Sequence, residues 1–88
     1  VMTSGQGFPG QLGIFSDGHL PGLTRLADAL REAGSLSSVQ LYHGGMRSPA
    51  KVTGHQPWCP SANEEFGARP MTVSEIEQAI EAYVKGAE

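Results

Sequence analysis

The stretch of sequence that decides the fold is SSVQLYHGG, residues 37–45. It is short, contains a valine and a tyrosine, and ends in two glycines, a pattern typical of a strand followed by a turn. Because side chains alternate between the two faces of a strand, Val39 and Leu41 are predicted to share one face. Gln40 and Tyr42 are predicted to share the opposite face, where they could serve a site.

An amphipathic helix is predicted before this strand. Apolar residues recur at helical spacing between Leu20 and Leu30, with charged residues between them. Ser16 and Asp17 are the candidate N-caps, and Gly34 stands where a left-handed C-terminal cap is expected. Residues 1–15 are rich in glycine and are predicted to be a loop that follows the end of a strand.

A second helix is predicted near the C-terminal end. Thr72 and Glu75 have the spacing of a capping box, in which each side chain binds the backbone N–H of the other residue. Apolar residues then recur at helical spacing as far as Val84, and the glutamates of this helix, Glu75 included, are expected to face solvent. Residues 44–70 contain several prolines and are predicted to be a long loop, of the kind that usually serves a site or lacks order.

The order of these elements is strand end, loop, helix, strand, long loop, helix. Such alternation indicates parallel strands joined by helical crossovers, which is an α/β fold. One complete strand cannot form a sheet, and neither helix has a partner surface for its apolar stripe. We therefore expect residues 1–88 to be an internal slice of a larger β/α architecture, too short to be a working enzyme.

Three groups of residues resemble the old yellow enzyme family of FMN-containing, NAD(P)H-dependent oxidoreductases. They occur in the expected order and cover nearly the whole chain. The second group looks like the third barrel strand of that family, and the third group looks like the entry into its third helix. The groups are GQLGIFSD (10–17) with PGL (21–23) and LADA (26–29), then VQLYHGG (39–45), then PSA (60–62) with MT (71–72) and EI (75–76).

The resemblance implies a partial (β/α)8 TIM barrel that runs from the end of strand 2 through helix 3, with residues 1–88 as a fragment of one FMN-binding domain. By the same resemblance, Gln40 hydrogen-bonds the pyrimidine edge of the flavin, and Tyr42 lines the substrate side. An amide suits the first role because it both donates and accepts. Arg47 matches the basic residue that follows the His-x-Gly of relatives. FMN is the implied cofactor and NAD(P)H the implied reductant.

Other reactive side chains have simpler interpretations. His43 is interpreted as a hydrogen-bonded residue that organises the loop. The histidines and Cys59 fit no closed zinc motif, so no metal site is expected. Cys59 has no sequence neighbour that would activate its thiol and is interpreted as an ordinary loop cysteine. Trp58 is expected to anchor the long loop. No catalytic residue is assigned within these 88 residues.

Composition excludes several classes of partner and location. Only six residues are Lys or Arg, and they are scattered, so no nucleic-acid surface is predicted. No apolar run is long enough for a membrane span. With a single cysteine and no signal-peptide pattern, a cytoplasmic location is expected. The expected partner is a small-molecule substrate, and a homo-oligomeric form of the full-length protein stays open.

Two functions from different classes follow. In the first, the full-length protein is an FMN oxidoreductase that passes hydride from NAD(P)H to an activated alkene or a related acceptor, and the fragment alone is inactive. In the second, the chain is a stand-alone small α/β binding module without catalysis.

Overall fold

Two long helices flank a compact loop region in the computed structural model, which describes all of residues 1–88. The fold is α/β and rich in helix, and its small sheet has two parallel strands. In chain order the elements are a 3-10 turn Thr3–Gly5, a 3-10 turn Asp17–His19, α1 (Leu20–Glu32), a 3-10 turn Gly45–Arg47, α2 (Ala50–Thr53), β1 (Trp58–Cys59), β2 (Arg69–Pro70) and α3 (Val73–Ala87).

The predicted first helix is confirmed as α1, and its C-terminal cap forms as expected. Gly34 adopts a φ of 81°, the left-handed conformation that glycine accepts without strain. The N–H of Ser35 donates to the carbonyl of Leu30 at 3.0 Å, and the N–H of Gly34 donates to that of Arg31 at 2.9 Å, which is a Schellman cap. The predicted N-cap is wrong: Ser16 precedes a 3-10 turn, and its side chain makes no capping hydrogen bond.

The predicted capping box of α3 is also confirmed. The N–H of Glu75 donates to Thr72 Oγ1 at 3.2 Å, and the N–H of Thr72 donates to Glu75 Oε1 at 2.9 Å. The expectation that Glu75 faces solvent is wrong, because the Arg69 guanidinium donates to both of its carboxylate oxygens at 2.8 and 2.6 Å. These hydrogen bonds, first from Arg69 and then from Thr72, lower the pKa of Glu75 to about 2.

The predicted strand over residues 37–43 is wrong for this chain. The segment is extended but belongs to no sheet, because a strand needs a neighbour that completes its backbone hydrogen bonds. Only its end is paired. The Val1 nitrogen donates to the carbonyl of Tyr42 at 2.8 Å, and the N–H of Gly44 donates to the carbonyl of Gly5 at 2.8 Å. The predicted strand end at the N-terminus gives way to the 3-10 turn Thr3–Gly5.

The sheet lies instead within the region predicted to be a loop. β1 and β2 pair in parallel, with Trp58 opposite Arg69 and Cys59 opposite Pro70. Pro57 and Pro60 flank β1. Proline has no N–H to donate to a neighbouring strand, so it is tolerated at the ends of edge strands, where that donor is not needed. The loop prediction for residues 44–70 is therefore wrong at both strands and at α2.

Most apolar side chains of the two long helices are uncovered. Only five of the 88 residues are buried, and none of them belongs to α1 or α3. The radius of gyration is 14.9 Å, against about 12 Å for a compact chain of this length. The apolar stripes of α1 and α3 thus lack a covering surface within residues 1–88; they expose Leu20, Leu26, Ile76, Ile80 and Val84.

The Arg69–Glu75 pair gives a prediction for acid. Because the pKa of Glu75 in the folded chain is about 2, against an ordinary 4.5, its carboxylate stabilises the fold above about pH 4.5. This stabilisation is lost as the pH falls toward 2. Glu75→Gln keeps an acceptor for the N–H of Thr72 but removes the charge that faces Arg69. We expect the variant to have less helix at neutral pH and a flatter loss of helix in acid, measured by far-UV circular dichroism.

Glu77→Gln is the matched control, because Glu77 lies exposed on the same helix. It should follow the wild-type curve. The interpretation fails if Glu75→Gln and Glu77→Gln give the same acid titration.

Candidate functional site

His43 lies where the extended segment enters the turn Gly45–Arg47, and it is half-buried. The N–H of Gly45 donates to His43 Nδ1 at 3.0 Å, so Nδ1 acts as an acceptor. The ring proton is therefore on Nε2, which lies 3.2 Å from Ser4 Oγ. Burial lowers the pKa of His43. The ring is thus a neutral imidazole with a defined tautomer.

Trp58 connects this histidine to the start of α3. Its indole stacks on the His43 ring, with 5.8 Å between centroids and 16° between planes. The Arg69 guanidinium lies 5.7 Å from the Trp58 ring and holds Glu75 through two hydrogen bonds. The expected role of Trp58 as an anchor of the loop agrees with these contacts.

An apolar cavity of about 340 Å³ lies beside these two rings. Its wall joins β1 to one face of α3, and its polar side chains include His43 and Tyr83. Cys59 lines it with a buried thiol that donates to the carbonyls of Ser61 and Arg69. A thiol engaged in this way fits the interpretation of Cys59 as unreactive. The other lining side chains are Met46, Trp58, Pro60, Met71, Ala79 and Tyr83.

A second, more polar groove of about 810 Å³ opens on the other side of the loop region. Arg47 lines it, and its guanidinium lies 4.9 Å from the centre of the Phe66 ring, within the range of a cation–π contact. Lys51, His55 and Glu65 add charges of both signs around it. Arg47 is thus held against an aromatic ring at the surface.

Gln40 and Tyr42 are both exposed but have different surroundings. The Gln40 amide makes no hydrogen bond within the chain. The Tyr42 hydroxyl packs over two glycines: a Cβ atom at Gly44 would lie 3.0 Å from it, and one at Gly7 would lie 3.2 Å from it. Neither side chain lines the two cavities described above.

The two apolar residues beside them differ in their packing. Leu41 packs near α3, since a Cβ atom at Gly86 would lie 3.3 Å from its Cδ2. Val39, by contrast, is 71% exposed.

The remaining histidines do not form a site. His19 packs edge-on against Phe15, with 4.6 Å between ring centroids, and His55 is exposed. No three His, Cys, Asp or Glu side chains come close enough to hold a metal ion. The helices are also all too short or too polar to cross a bilayer.

The cluster of His43, Trp58 and Arg69 is not predicted by the sequence pattern, in which the three residues lie in separate segments. The one signal in the sequence was an aromatic residue between two prolines in a loop, which is typical of a buried anchor. No local pattern indicates which histidine stacks on it, because the partners lie far apart in the chain.

Comparison with known proteins places all of these residues in one family. The family described as NADH:flavin oxidoreductase / NADH oxidase matches residues 1–88. The NADH:acrylate oxidoreductase of Vibrio harveyi is 42% identical over 89 residues, which is 94% of this chain and 9% of that protein. The probable NADH-dependent flavin oxidoreductase YqiG of Bacillus subtilis is 34% identical over 94% of this chain and 23% of its own length.

The chain spans only a small part of these relatives. The NADPH dehydrogenase of a Geobacillus strain is 33% identical over 99% of this chain, yet only 26% of that enzyme is covered. No solved structure matches the chain. Because the family match covers every residue, it confirms the resemblance carried by the three groups of residues. The chain belongs to the NADH:flavin oxidoreductase / NADH oxidase family.

Proposed function

We propose that residues 1–88 are part of an FMN-dependent NAD(P)H oxidoreductase that reduces activated alkenes or related acceptors. The observation that carries this proposal is the family match over the whole chain. Two relatives with 42% and 39% identity are named as NADH:acrylate and NADH:fumarate oxidoreductases. Acrylate and fumarate are both alkenes conjugated to a carboxylate, so an activated alkene is the substrate class that the relatives support.

The family fold supports a position within a (β/α)8 barrel, from the end of strand 2 through helix 3. The uncovered apolar stripes of α1 and α3 agree with this position, because barrel helices cover the outside of a sheet. The extended segment 37–43 would become the third strand when neighbouring strands complete its hydrogen bonds. Residues 1–88 would then be one fragment of a single FMN-binding domain.

Gln40 is the residue of this chain that best fits the flavin. Its amide is exposed and free of partners within the chain, and it offers both a donor and an acceptor to the pyrimidine edge. Tyr42, two residues further on, would line the substrate side. Bound FMN would supply the hydride chemistry between NAD(P)H and the acceptor. The chain's own residues contribute binding and orientation.

The first test concerns the isolated chain. With five buried residues it has little core, so we expect the 88-residue chain to be marginally stable, to bind no FMN and to be inactive. Far-UV circular dichroism through a thermal melt, with a parallel FMN titration, measures both properties. A cooperative melt together with micromolar FMN binding would contradict the expectation and favour a stand-alone binding module.

The second test concerns Gln40 in the full-length protein that carries these residues. Gln40→Ala removes one or two hydrogen bonds to the flavin, each worth about 1 kcal/mol. We expect the FMN dissociation constant to rise by about tenfold, measured by quenching of flavin fluorescence.

Gln78→Ala is the matched control for Gln40→Ala, because Gln78 is an exposed glutamine on α3. It should leave FMN binding unchanged. Equal FMN affinity of the Gln40→Ala variant and the wild-type protein would rule out the assigned contact.

A further inference from the structure

Three contacts fix the imidazole of His43 to separate parts of the chain. Gly45 donates its N–H to Nδ1 at 3.0 Å, and Ser4 Oγ lies 3.2 Å from Nε2. The ring also stacks on Trp58 of β1. Since Ser4 is 39 residues away in sequence, one side chain joins the N-terminal turn, the turn after the extended segment, and the small sheet.

The contact with Gly45 requires a neutral ring. An N–H can donate to Nδ1 only while that nitrogen keeps its lone pair. A second ring proton would occupy that lone pair and set two N–H groups against each other. Protonation of His43 therefore breaks the hydrogen bond to the turn Gly45–Arg47.

The ring has no ion-pair partner that would stabilise a positive charge. No carboxylate lies within ion-pair distance of His43, and the nearby Glu75 carboxylate is bonded to Arg69. Burial lowers the pKa of His43. The charged or titratable groups around it and its packing partners are Tyr42, Cys59, Tyr83 and the Arg69 guanidinium.

We propose that neutral His43 is a positioning residue: it fixes the turn that ends the segment carrying Gln40 and Tyr42, and protonation of its ring loosens that turn and weakens flavin binding. The backbone shows how this works, because the N–H of Gly44 donates to the carbonyl of Gly5 at 2.8 Å directly beside the ring. Loss of the His43 contacts loosens this junction. The proposal rests on the proposed function, since Gln40 is the assigned flavin contact.

The direction of the pH effect follows from the lowered pKa. A histidine that is neutral in the ordered state and takes up a proton when released favours order at high pH. The ordering is complete above the ordinary histidine pKa of 6.5 and declines as the pH falls below it. One pH unit below that value, the released state gains at most about tenfold.

The test uses the flavin-loaded full-length protein between about pH 7.5 and pH 5.5. We expect the FMN dissociation constant of the wild-type protein to rise by up to about tenfold over this range. His43→Asn keeps an amide oxygen that accepts the N–H of Gly45 but cannot titrate, so its dissociation constant should stay flat. His43→Gln is the second non-titrating variant, in case the first does not fold.

Hydrogen exchange of residues 44–48, corrected for the intrinsic effect of pH, gives a readout that does not depend on flavin. It should be faster at pH 5.5 than at pH 7.5 in the wild-type protein and unchanged in His43→Asn. His55→Asn, which alters an exposed histidine, should retain the wild-type pH dependence in both measurements.

Two results overturn the proposal: a His43→Asn variant with the wild-type pH dependence, or exchange of residues 44–48 that is the same at both pH values in the wild-type protein. Absence of FMN binding at pH 7.5 would refute the proposed function instead. The exchange measurement would then still decide whether His43 holds the segment.

Discussion

The stacking of Trp58 on His43 is the contact on which the order of the loop region depends. It joins the end of the extended segment to β1, and the Arg69 guanidinium beside the indole continues the connection to Glu75 at the start of α3. A second contact between the segment and α3 is made by Leu41, which packs beside Gly86. In this region, one aromatic side chain therefore makes the contacts between elements that a continuous core makes in a larger domain.

The ends of the helices differ from the loop region, because their backbone N–H and C=O groups find hydrogen-bond partners nearby in sequence. The hydrogen bonds of the Schellman cap at Gly34 and of the capping box at Thr72 join residues that are close in sequence. These caps therefore do not depend on the tertiary surroundings. The apolar stripes of these helices need a partner surface, and residues 1–88 do not provide one. The two helices thus have local hydrogen bonds at these ends, while their apolar side chains stay uncovered.

This difference explains what the sequence could predict. Both long helices and two of their caps were predictable, because periodicity and capping depend on neighbours within four residues. The strand over 37–43 was not, because a strand depends on partners that the pattern cannot supply. The sheet of β1 and β2 escaped detection since two residues carry no period. The family was predictable from residue identity, and the environment of His43 was not, because its contacts come from Ser4 and Trp58.

The incomplete packing also limits what these residues can contribute to catalysis. A hydride transfer needs a cofactor held between a donor and an acceptor, with water excluded. Gln40, the proposed flavin contact, lies on a segment that is exposed to solvent and paired only at its end. The precision of such a contact depends on the residues that hold Gln40 in place. These include His43 with its part-buried hydrogen bonds. Under the proposed function, this segment contributes by orienting the flavin edge, and the strength of that contribution depends on how firmly the end of the segment is held.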